Sequence, residues 1–287
     1  MANPSPTVEK PNLRQLTASL RNLRRSWPEK WPGLPLVFER AWRQLDWGLP
    51  RTASPAGRLL AFGRTVVEQV ERDGALRQQQ GLEPAYHNRL HIADTLVCMT
   101  YLLKAARFLG VSGANNPSVA AMALSVMAGH DFLHPGGSNT RPSEFEARAV
   151  QDLQALMLAA GLPEVDRQNL AHCIMATDPV RVKGFHMQVR AREFDLLQPD
   201  CLAVLVQEAD ILASALPETS QSLTQALSRE WTPLQPRAAA QLLLPQNRLL
   251  FLEHAAWFSS PAARLLDLEA VKLKQVTQIR SELELNS

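Results

Sequence analysis

The sequence has little of what marks secreted, membrane-bound or nucleic-acid-binding proteins. It contains only three cysteines and no CxxC pair, which suits a reducing compartment and argues against a disulfide framework. No apolar run approaches the roughly eighteen residues of a membrane span, and the polar N-terminus lacks the pattern of a secretory signal. The formal net charge is only +2, so charge alone predicts neither a nucleic-acid nor a membrane partner. We therefore expect a soluble, cytoplasmic protein.

Strand signals are also missing, because no segment alternates convincingly between apolar and polar residues and no internal repeat is visible. Apolar residues recur instead at helical spacing along most of the chain, which predicts an all-α fold of roughly a dozen packed helices. Residues 1–12 read as a disordered lead-in. We expect a Trp- and Arg-rich helical extension up to residue 54 and a main domain over residues 55–287. Four of the six tryptophans lie in residues 27–47 and would anchor this extension on the main body or on the second subunit of a homodimer.

Three segments carry specific structural expectations. A helix that begins at Pro55 is expected to stop at Gly74, where Asp-Gly favours a turn. The run 119–128 is apolar apart from one serine and should form a buried helix. Residues 216–248 contain four prolines and are expected to be rich in loops.

The chemistry of the chain is concentrated in two short histidine clusters, which hold four of the seven histidines. His87 and His91 are four residues apart, so on a helix they would share one face, and Asp94 follows one turn later. The second cluster, His130–Gly136, comes at the end of the apolar run. Two imidazoles and a carboxylate on one stripe form half of a metal site or half of an acid–base site.

A third candidate is Asp210, which lies beside the apolar stripe of a predicted helix. An unpaired carboxylate in such a place is costly, so it needs a partner. A metal ion and an arginine are the two alternatives.

These stretches resemble the motifs of class I 3′,5′-cyclic nucleotide phosphodiesterases, a family within the HD-domain metallohydrolases. The resemblance runs through residues 55–260 and is carried by the stretches Tyr86–Asp94, His130–Asn139, Ala176–Asp178 and Ala209–Ile211. It implies a bacterial-type, single-domain member: a compact helical array with a di-metal site in a central pocket. The implied reaction is hydrolysis of cAMP or cGMP to the 5′-monophosphate by attack of a metal-bridging hydroxide.

The resemblance also implies a role for each matching residue. The implied ligands of a tightly held Zn²⁺, or Fe or Mn, are His91, His130, Asp131 and Asp210. Asp131 would bridge to a second, more hydrated ion, Mg²⁺ or Mn²⁺. His87 matches the general acid that protonates the leaving 3′ oxygen, and His134 matches a histidine beside the phosphate and the second metal.

Other matching positions would orient these groups or contact the nucleotide. The orienting residues implied are Asn88, Asp94, Glu146 and Asp178. The substrate contacts implied are Tyr86, Asn139, Gln246, Arg248 and Phe251. For Glu146 there is a purely structural alternative, because Ser143-x-x-Glu146 matches a helix capping box.

The chain departs from the family pattern at two places. Glu208 stands where a histidine or cysteine is common, and Arg248 stands where the family grips the purine with a glutamine, with Gln246 two residues earlier. Two alternatives therefore remain open. One is an HD-domain phosphohydrolase that acts on another nucleotide or an alarmone, and the other is an inactive HD-fold sensor or scaffold.

Overall fold

The computed structural model describes residues 9–285, which contain fourteen α-helices and no β-sheet. Residues 1–8 of the expected disordered lead-in lie outside the described range. None of the described helices is both long and apolar enough to cross a membrane. The all-α prediction is confirmed. The helices are α1 (Leu13–Ser26), α2 (Leu34–Arg43), α3 (Pro55–Gln79), α4 (Arg89–Phe108), α5 (Pro117–Gly129), α6 (Glu144–Ala159), α7 (Glu164–Met175), α8 (Pro179–Arg190), α9 (Pro199–Ala215), α10 (Pro217–Trp231), α11 (Pro236–Leu242), α12 (Pro245–Leu250), a π-helical turn (Phe251–Ala255), α13 (Pro261–Leu265) and α14 (Leu268–Leu285).

Helix α5 runs through the centre of the molecule. Residues 119–129 are all buried, as predicted, because an apolar helix without a polar face has no side to present to water. Asn116 caps the helix, since its side chain accepts a backbone N–H of the first turn. α5 packs against α3, α4, α7 and α9, and its end places His130 and Asp131 in the middle of the fold.

Helices α4 and α9 bring further polar side chains to the same place. Asn88 caps α4, because its Oδ1 accepts the backbone N–H of Leu90 at 2.9 Å and of His91 at 3.1 Å. α9 packs directly against α4 and carries Asp210. The site is therefore assembled by the packing of three helices that are distant in sequence.

Helix α3 is longer than predicted, because it passes through Gly74 and ends at Gln79. The side chain of Arg89 packs against Gly74, and a Cβ atom on Gly74 would come within 2.6 Å of Arg89 Cδ. Arg89 is buried and donates to Glu71 at 2.5 Å and to Glu83 at 2.8 Å. Gly74 thus allows a close approach between α3 and α4, and the expectation that it ends the helix was wrong.

Replacing Gly74 with alanine should therefore destabilise the protein although alanine is the better helix former. The added methyl group would push Arg89 away from its carboxylates, at a cost of about 1–3 kcal/mol as in other overpacked sites. Gly184, inside α8, has nothing within 4 Å of its would-be Cβ, so Gly184→Ala should stabilise by about 0.4–1 kcal/mol. Urea unfolding of both variants would measure the difference, and a stabilised Gly74→Ala protein would contradict this account.

Residues 216–248 form three helices, so the expectation of a loop-rich segment was wrong. Each helix begins with a proline: Pro217 in α10, Pro236 in α11 and Pro245 in α12. Proline is favoured at the first helical position, where its missing N–H would have no helical partner anyway. The prolines that were expected to interrupt helices therefore begin helices here.

The N-terminal helices pack on the rest of the molecule. Arg24 of α1 forms an ion pair with the buried Asp94 of α4, and the indole N–H of Trp31 donates to Glu71 of α3 at 3.0 Å. Apolar side chains of α1 and α2 belong to the same continuous core as those of α3, α4 and α5. The division of the chain at residue 54 stays a prediction.

Candidate metal centre

Side chains from three separate parts of the chain converge at the centre of the fold. His91 Nε2, from α4, lies 3.3 Å from His130 Nε2, 3.1 Å from Asp131 Oδ2 and 3.2 Å from Asp210 Oδ1. His130 Nε2 lies 3.3 Å and 3.4 Å from the same two carboxylate oxygens. The structure thus brings together all the residues that the resemblance names as metal ligands.

The ligand atoms of His91, His130 and Asp131 lie close enough together to bind one divalent ion, and Asp210 Oδ1 approaches both imidazoles from α9. Zinc binds histidine nitrogen at about 2.0–2.1 Å and carboxylate oxygen at about 2.0–2.2 Å. At angles between about 90° and 109°, such bonds put neighbouring ligand atoms about 2.9–3.5 Å apart. The distances given above run from 3.1 to 3.4 Å. A set of two imidazoles and two carboxylates suits a transition ion such as zinc, iron or manganese.

The backbone orients one of these four side chains. His130 Nδ1 lies 2.9 Å from the carbonyl oxygen of Met127, which can only accept a hydrogen bond. Nδ1 therefore carries the ring hydrogen, and Nε2 directs its lone pair at the centre. A hydrogen bond from the second ring nitrogen is the usual way in which proteins fix a metal-binding histidine.

The imidazoles and carboxylates of the centre support each other electrostatically. Burial raises the pKa of Asp131 and Asp210, but the imidazoles of His130 and His91 outweigh it, and both carboxyl pKa values lie below their usual range. Burial lowers the pKa of the two histidines, but nearby groups raise both imidazole pKa values above their usual range: Tyr86 and the two carboxylates for His91, and the two carboxylates for His130. Asp131 keeps 18% of its side-chain surface exposed against 1% for His130, so the centre opens to solvent on the carboxylate side.

Two further histidines stack at the edge of this centre. The rings of His87 and His134 lie 4.0 Å apart at an angle of 23°, and the His87 ring lies 5.9 Å from that of His91. His87 precedes the cap of α4 and is not part of the helix, so its position does not come from helical spacing. Its Nδ1 lies 2.6 Å from Glu230 Oε1, whereas His134 Nδ1 accepts the backbone N–H of Gly136 at 3.0 Å.

The group His87, His134 and Glu230 suits proton transfer better than metal binding. The two rings are nearly parallel, so their in-plane lone pairs cannot point at one ion between them. The Nδ1 atoms of both rings are already engaged. A carboxylate on one ring nitrogen leaves the other to exchange a proton with a ligand.

Glu230 is the residue that sequence reasoning missed. Besides His87 Nδ1, its carboxylate accepts the backbone N–H groups of Tyr86 at 2.8 Å, His87 at 2.9 Å and Gly137 at 3.0 Å. Burial raises the pKa of Glu230, but the hydrogen bonds and the charge of His87 outweigh it and lower the pKa to about 2. Glu230 lies on α10, in the segment that was expected to be loop-rich, and no motif marks it. Only the tertiary structure connects it with His87.

Replacing Glu230 with glutamine should lower turnover about 10- to 100-fold, the usual effect of removing the partner that orients a functional histidine. Metal content should stay unchanged, because Glu230 does not touch the four converging side chains. Steady-state kinetics and metal analysis of the variant would check both points. Glu218→Gln, on the first turn of the same helix, is the matched control and should leave turnover unchanged. Full activity of the Glu230→Gln protein would exclude a role for this carboxylate.

Two of the residues expected to orient ligands act on helix α4. Asn88 caps the helix and so fixes the backbone of His91. Asp94 is paired with Arg24 of α1, and burial raises its pKa to about 6 despite the opposing charge of Arg24. These contacts set the orientation of α4 and thereby the position of the histidine that it carries.

The other two orienting candidates lie on the first turn of α6 and at the start of α8. Glu146 accepts from Asn139 Nδ2 at 2.9 Å, and Asp178 accepts the Ser143 hydroxyl at 2.7 Å while it caps α8. The capping-box alternative for Glu146 was wrong, because Ser143 has a φ of +56° and its side chain caps no N–H of α6. Its hydroxyl is donated to Asp178, which ties the two segments together.

Of the remaining substrate candidates, all but Gln246 contact other side chains or the backbone of the protein. The Tyr86 hydroxyl lies 3.0 Å from Ser214 Oγ, and the carbonyl oxygen of the same serine accepts from Arg248 at 2.7 Å. The Arg248 guanidinium lies 5.3 Å from the ring centre of Phe251, whereas the side chain of Gln246 is exposed. Arg248 thus holds the C-terminal end of α9, and it contacts Phe251 from a half-buried position.

The other departure from the family pattern, Glu208, hydrogen-bonds to Ser259 and Ser260 and not to the four converging side chains. It is fully buried and accepts the backbone N–H groups of Ser259 and Ser260, each at 2.7 Å. These N–H groups lie at the start of α13. Glu208 therefore fastens α13 to α9.

No protein-family model and no curated protein matches the chain in sequence. Its structure resembles that of LmjPDEB1, a Leishmania phosphodiesterase solved in complex with IBMX, at 15% sequence identity. The likeness covers 99% of this chain and 99% of that chain, with a TM-score of 0.63. At this identity the comparison establishes the fold alone. The chain has the all-α fold of the class I phosphodiesterases.

Proposed function

We propose that this protein is a metal-dependent phosphodiesterase that hydrolyses a 3′,5′-cyclic nucleotide, cAMP or cGMP, to the 5′-monophosphate. The observation that carries the proposal is the convergence of two imidazoles and two carboxylates beside a histidine pair. A phosphodiester is anionic and leaves a poorly stabilised alkoxide, so its hydrolysis needs both charge neutralisation and a proton donor. The phosphodiesterase-like fold and a central site built from both kinds of group support this reaction.

Four residues would bind metal in this proposal. His91, His130, Asp131 and Asp210 would hold a tightly bound zinc, iron or manganese ion. Asp131, on the solvent side, would also reach a second ion, magnesium or manganese. When bound, divalent ions supply a nucleophile at neutral pH and neutralise the charge of the phosphate.

His87 and His134 would assist departure of the leaving group. His87 donates a proton from Nε2 to the departing 3′ oxygen, while Glu230 holds its Nδ1–H. His134 stacks on one face of the His87 ring and limits its rotation. Its pKa is lowered to about 4 by burial and by the charge of His87, so His134 is neutral near pH 7 and adds no competing positive charge.

A second candidate function is a phosphohydrolase that acts on a noncyclic nucleotide or an alarmone. The observation in its favour is Arg248, which stands at the position of the purine-binding glutamine and is engaged with the end of α9. The nucleotide base would then be held differently from the family pattern.

One substrate panel tests both candidates. The purified protein, loaded with Mn²⁺ or Mg²⁺, is assayed against cyclic mononucleotides, noncyclic nucleotides and alarmones, with metal content measured in parallel. We expect metal-dependent turnover of a cyclic mononucleotide. Turnover of noncyclic substrates alone would select the second candidate, and no turnover with any metal would leave a catalytically inactive scaffold.

A further inference from the structure

The two proposed acid–base histidines lie outside the helices, so helical hydrogen bonds do not fix their backbone positions. His87 lies in the turn before α4, and His134 lies in the loop that follows α5. Two residues of that loop lie in the left-handed backbone region, with φ of +54° at Leu133 and +88° at Gly136. A histidine on such a loop needs an outside contact to hold its ring in one place.

The end of α3, beyond Gly74, supplies that contact. Arg77 Nη1 donates to the carbonyl oxygen of His134 at 3.1 Å. Arg77 Nε lies 2.7 Å from Asp73 Oδ2, one turn earlier on the same helix. Because both ends of the guanidinium are engaged, its planar fork is fixed in direction and little rotamer freedom remains.

The bond acts on the ring through the backbone of the loop. Anchoring the His134 carbonyl sets the peptide plane that leads into Pro135 and Gly136, and the Gly136 N–H donates to His134 Nδ1. The ring that is oriented in this way stacks on His87. Arg77, His87 and His134 line the same small surface pocket, so the guanidinium and the two rings face a shared space.

We propose that Arg77, held by Asp73, is a positioning residue that orients His134 and, through the stacked ring, the general acid His87. The proposal rests on the proposed function, because it assumes that His87 protonates the leaving group. In this proposal, the end of α3 positions His134 and His87.

The test compares Arg77→Met with Arg77→Lys, and uses Arg64→Met as control. Arg64 is an exposed arginine on the same helix that pairs with Glu68, also four residues away. Arg77→Met should lower kcat on the cyclic nucleotide about 10- to 100-fold, with KM and metal content nearly unchanged. Turnover of an activated aryl phosphodiester, whose leaving group needs no proton, should fall less than about threefold. Arg77→Lys should recover part of the loss, because an ammonium group can still donate to the carbonyl.

A double-mutant cycle separates positioning from a merely structural effect. If Arg77 acts through His87, Arg77→Met should add less than about threefold to the loss already present in His87→Ala. Equal losses on the two substrates, additive losses in the double variant, or a loss that only follows a lower melting temperature would each overturn the proposal.

Failure of the proposed function would look different. If the unaltered protein hydrolyses no phosphodiester, the histidine side-chain NMR signals provide the readout. Arg77→Met should shift the ring signals of His134 and His87, whereas Arg64→Met should not. Unchanged ring signals in the Arg77→Met protein would overturn the positioning role whatever the substrate.

Discussion

Alanine in place of Asp131 is expected to remove the metal and the hydrolytic activity together. Asp131 Oδ2 lies 3.1 Å from His91 Nε2 and 3.3 Å from His130 Nε2, so it is central to the proposed site. Its loss takes one charged ligand from the first ion and the proposed bridge to the second. We expect kcat/KM to fall about 10⁴-fold or more, which corresponds to about 5.4 kcal/mol.

Metal analysis of the purified variant and kinetics with added Mn²⁺ would measure both effects. The matched control is Asp152→Ala, which removes an exposed carboxylate that is paired with Arg148 on α6. It should change neither metal content nor turnover. An Asp131→Ala protein that kept its full metal content and more than about a tenth of its activity would show that the four side chains are not the ligands.

The position of this centre could be anticipated from the sequence for a definite physical reason. His130 and Asp131 follow an apolar run that had to be buried, so the end of that run had to lie deep in the fold. Asp210 lies beside an apolar stripe and needed a partner. The need to bury the apolar run and the cost of an unpaired charge can both be inferred from the order of the residues. The sequence alone therefore predicts that these positions are buried and need partners.

The supporting residues could not be anticipated, because their roles arise from contacts between segments that are far apart in sequence. Glu230 reaches His87 only because α10 crosses the turn that leads into α4. Gly74 reads as a helix end unless one knows that Arg89 lies on it. Local propensity predicted the all-α fold and the buried helix α5, but it missed the three proline-led helices of residues 216–248 and ended α3 too early at Gly74.

The same distinction applies to Arg248. The sequence pattern placed Arg248 at the position of a purine-binding glutamine, but it could not say what else the guanidinium would bind. In the structure its Nη atoms donate to the carbonyl oxygens of Ser214 and Ala215 and to the side chain of Gln275. Under the proposed function, Arg248 would have to give up some of these contacts to bind a nucleotide base, and the substrate panel measures base preference directly.

Alanine in place of His87 should keep the metal but lower turnover of the cyclic nucleotide about 10²- to 10⁴-fold, the usual contribution of a general acid. The ring lies 5.9 Å from that of His91 and has Glu230 as its partner, so it is not one of the four converging groups. The measurement is kcat on the cyclic nucleotide and on an activated aryl phosphodiester, together with metal content. The aryl substrate should lose far less activity, because its leaving group departs without a proton.

The control for His87→Ala is a second histidine–carboxylate pair outside the proposed site. His172 Nε2 lies 3.0 Å from Asp200 Oδ1, so His172→Ala removes a similar interaction away from the chemistry and should leave both substrates unaffected. If His87→Ala instead loses its metal, the acid and ligand assignments are exchanged. If it loses activity equally on both substrates, His87 contributes to binding or to nucleophile placement. Only a loss of activity confined to the cyclic nucleotide, which has the poorer leaving group, identifies His87 as a proton donor. No other role of this imidazole depends on the basicity of the departing oxygen.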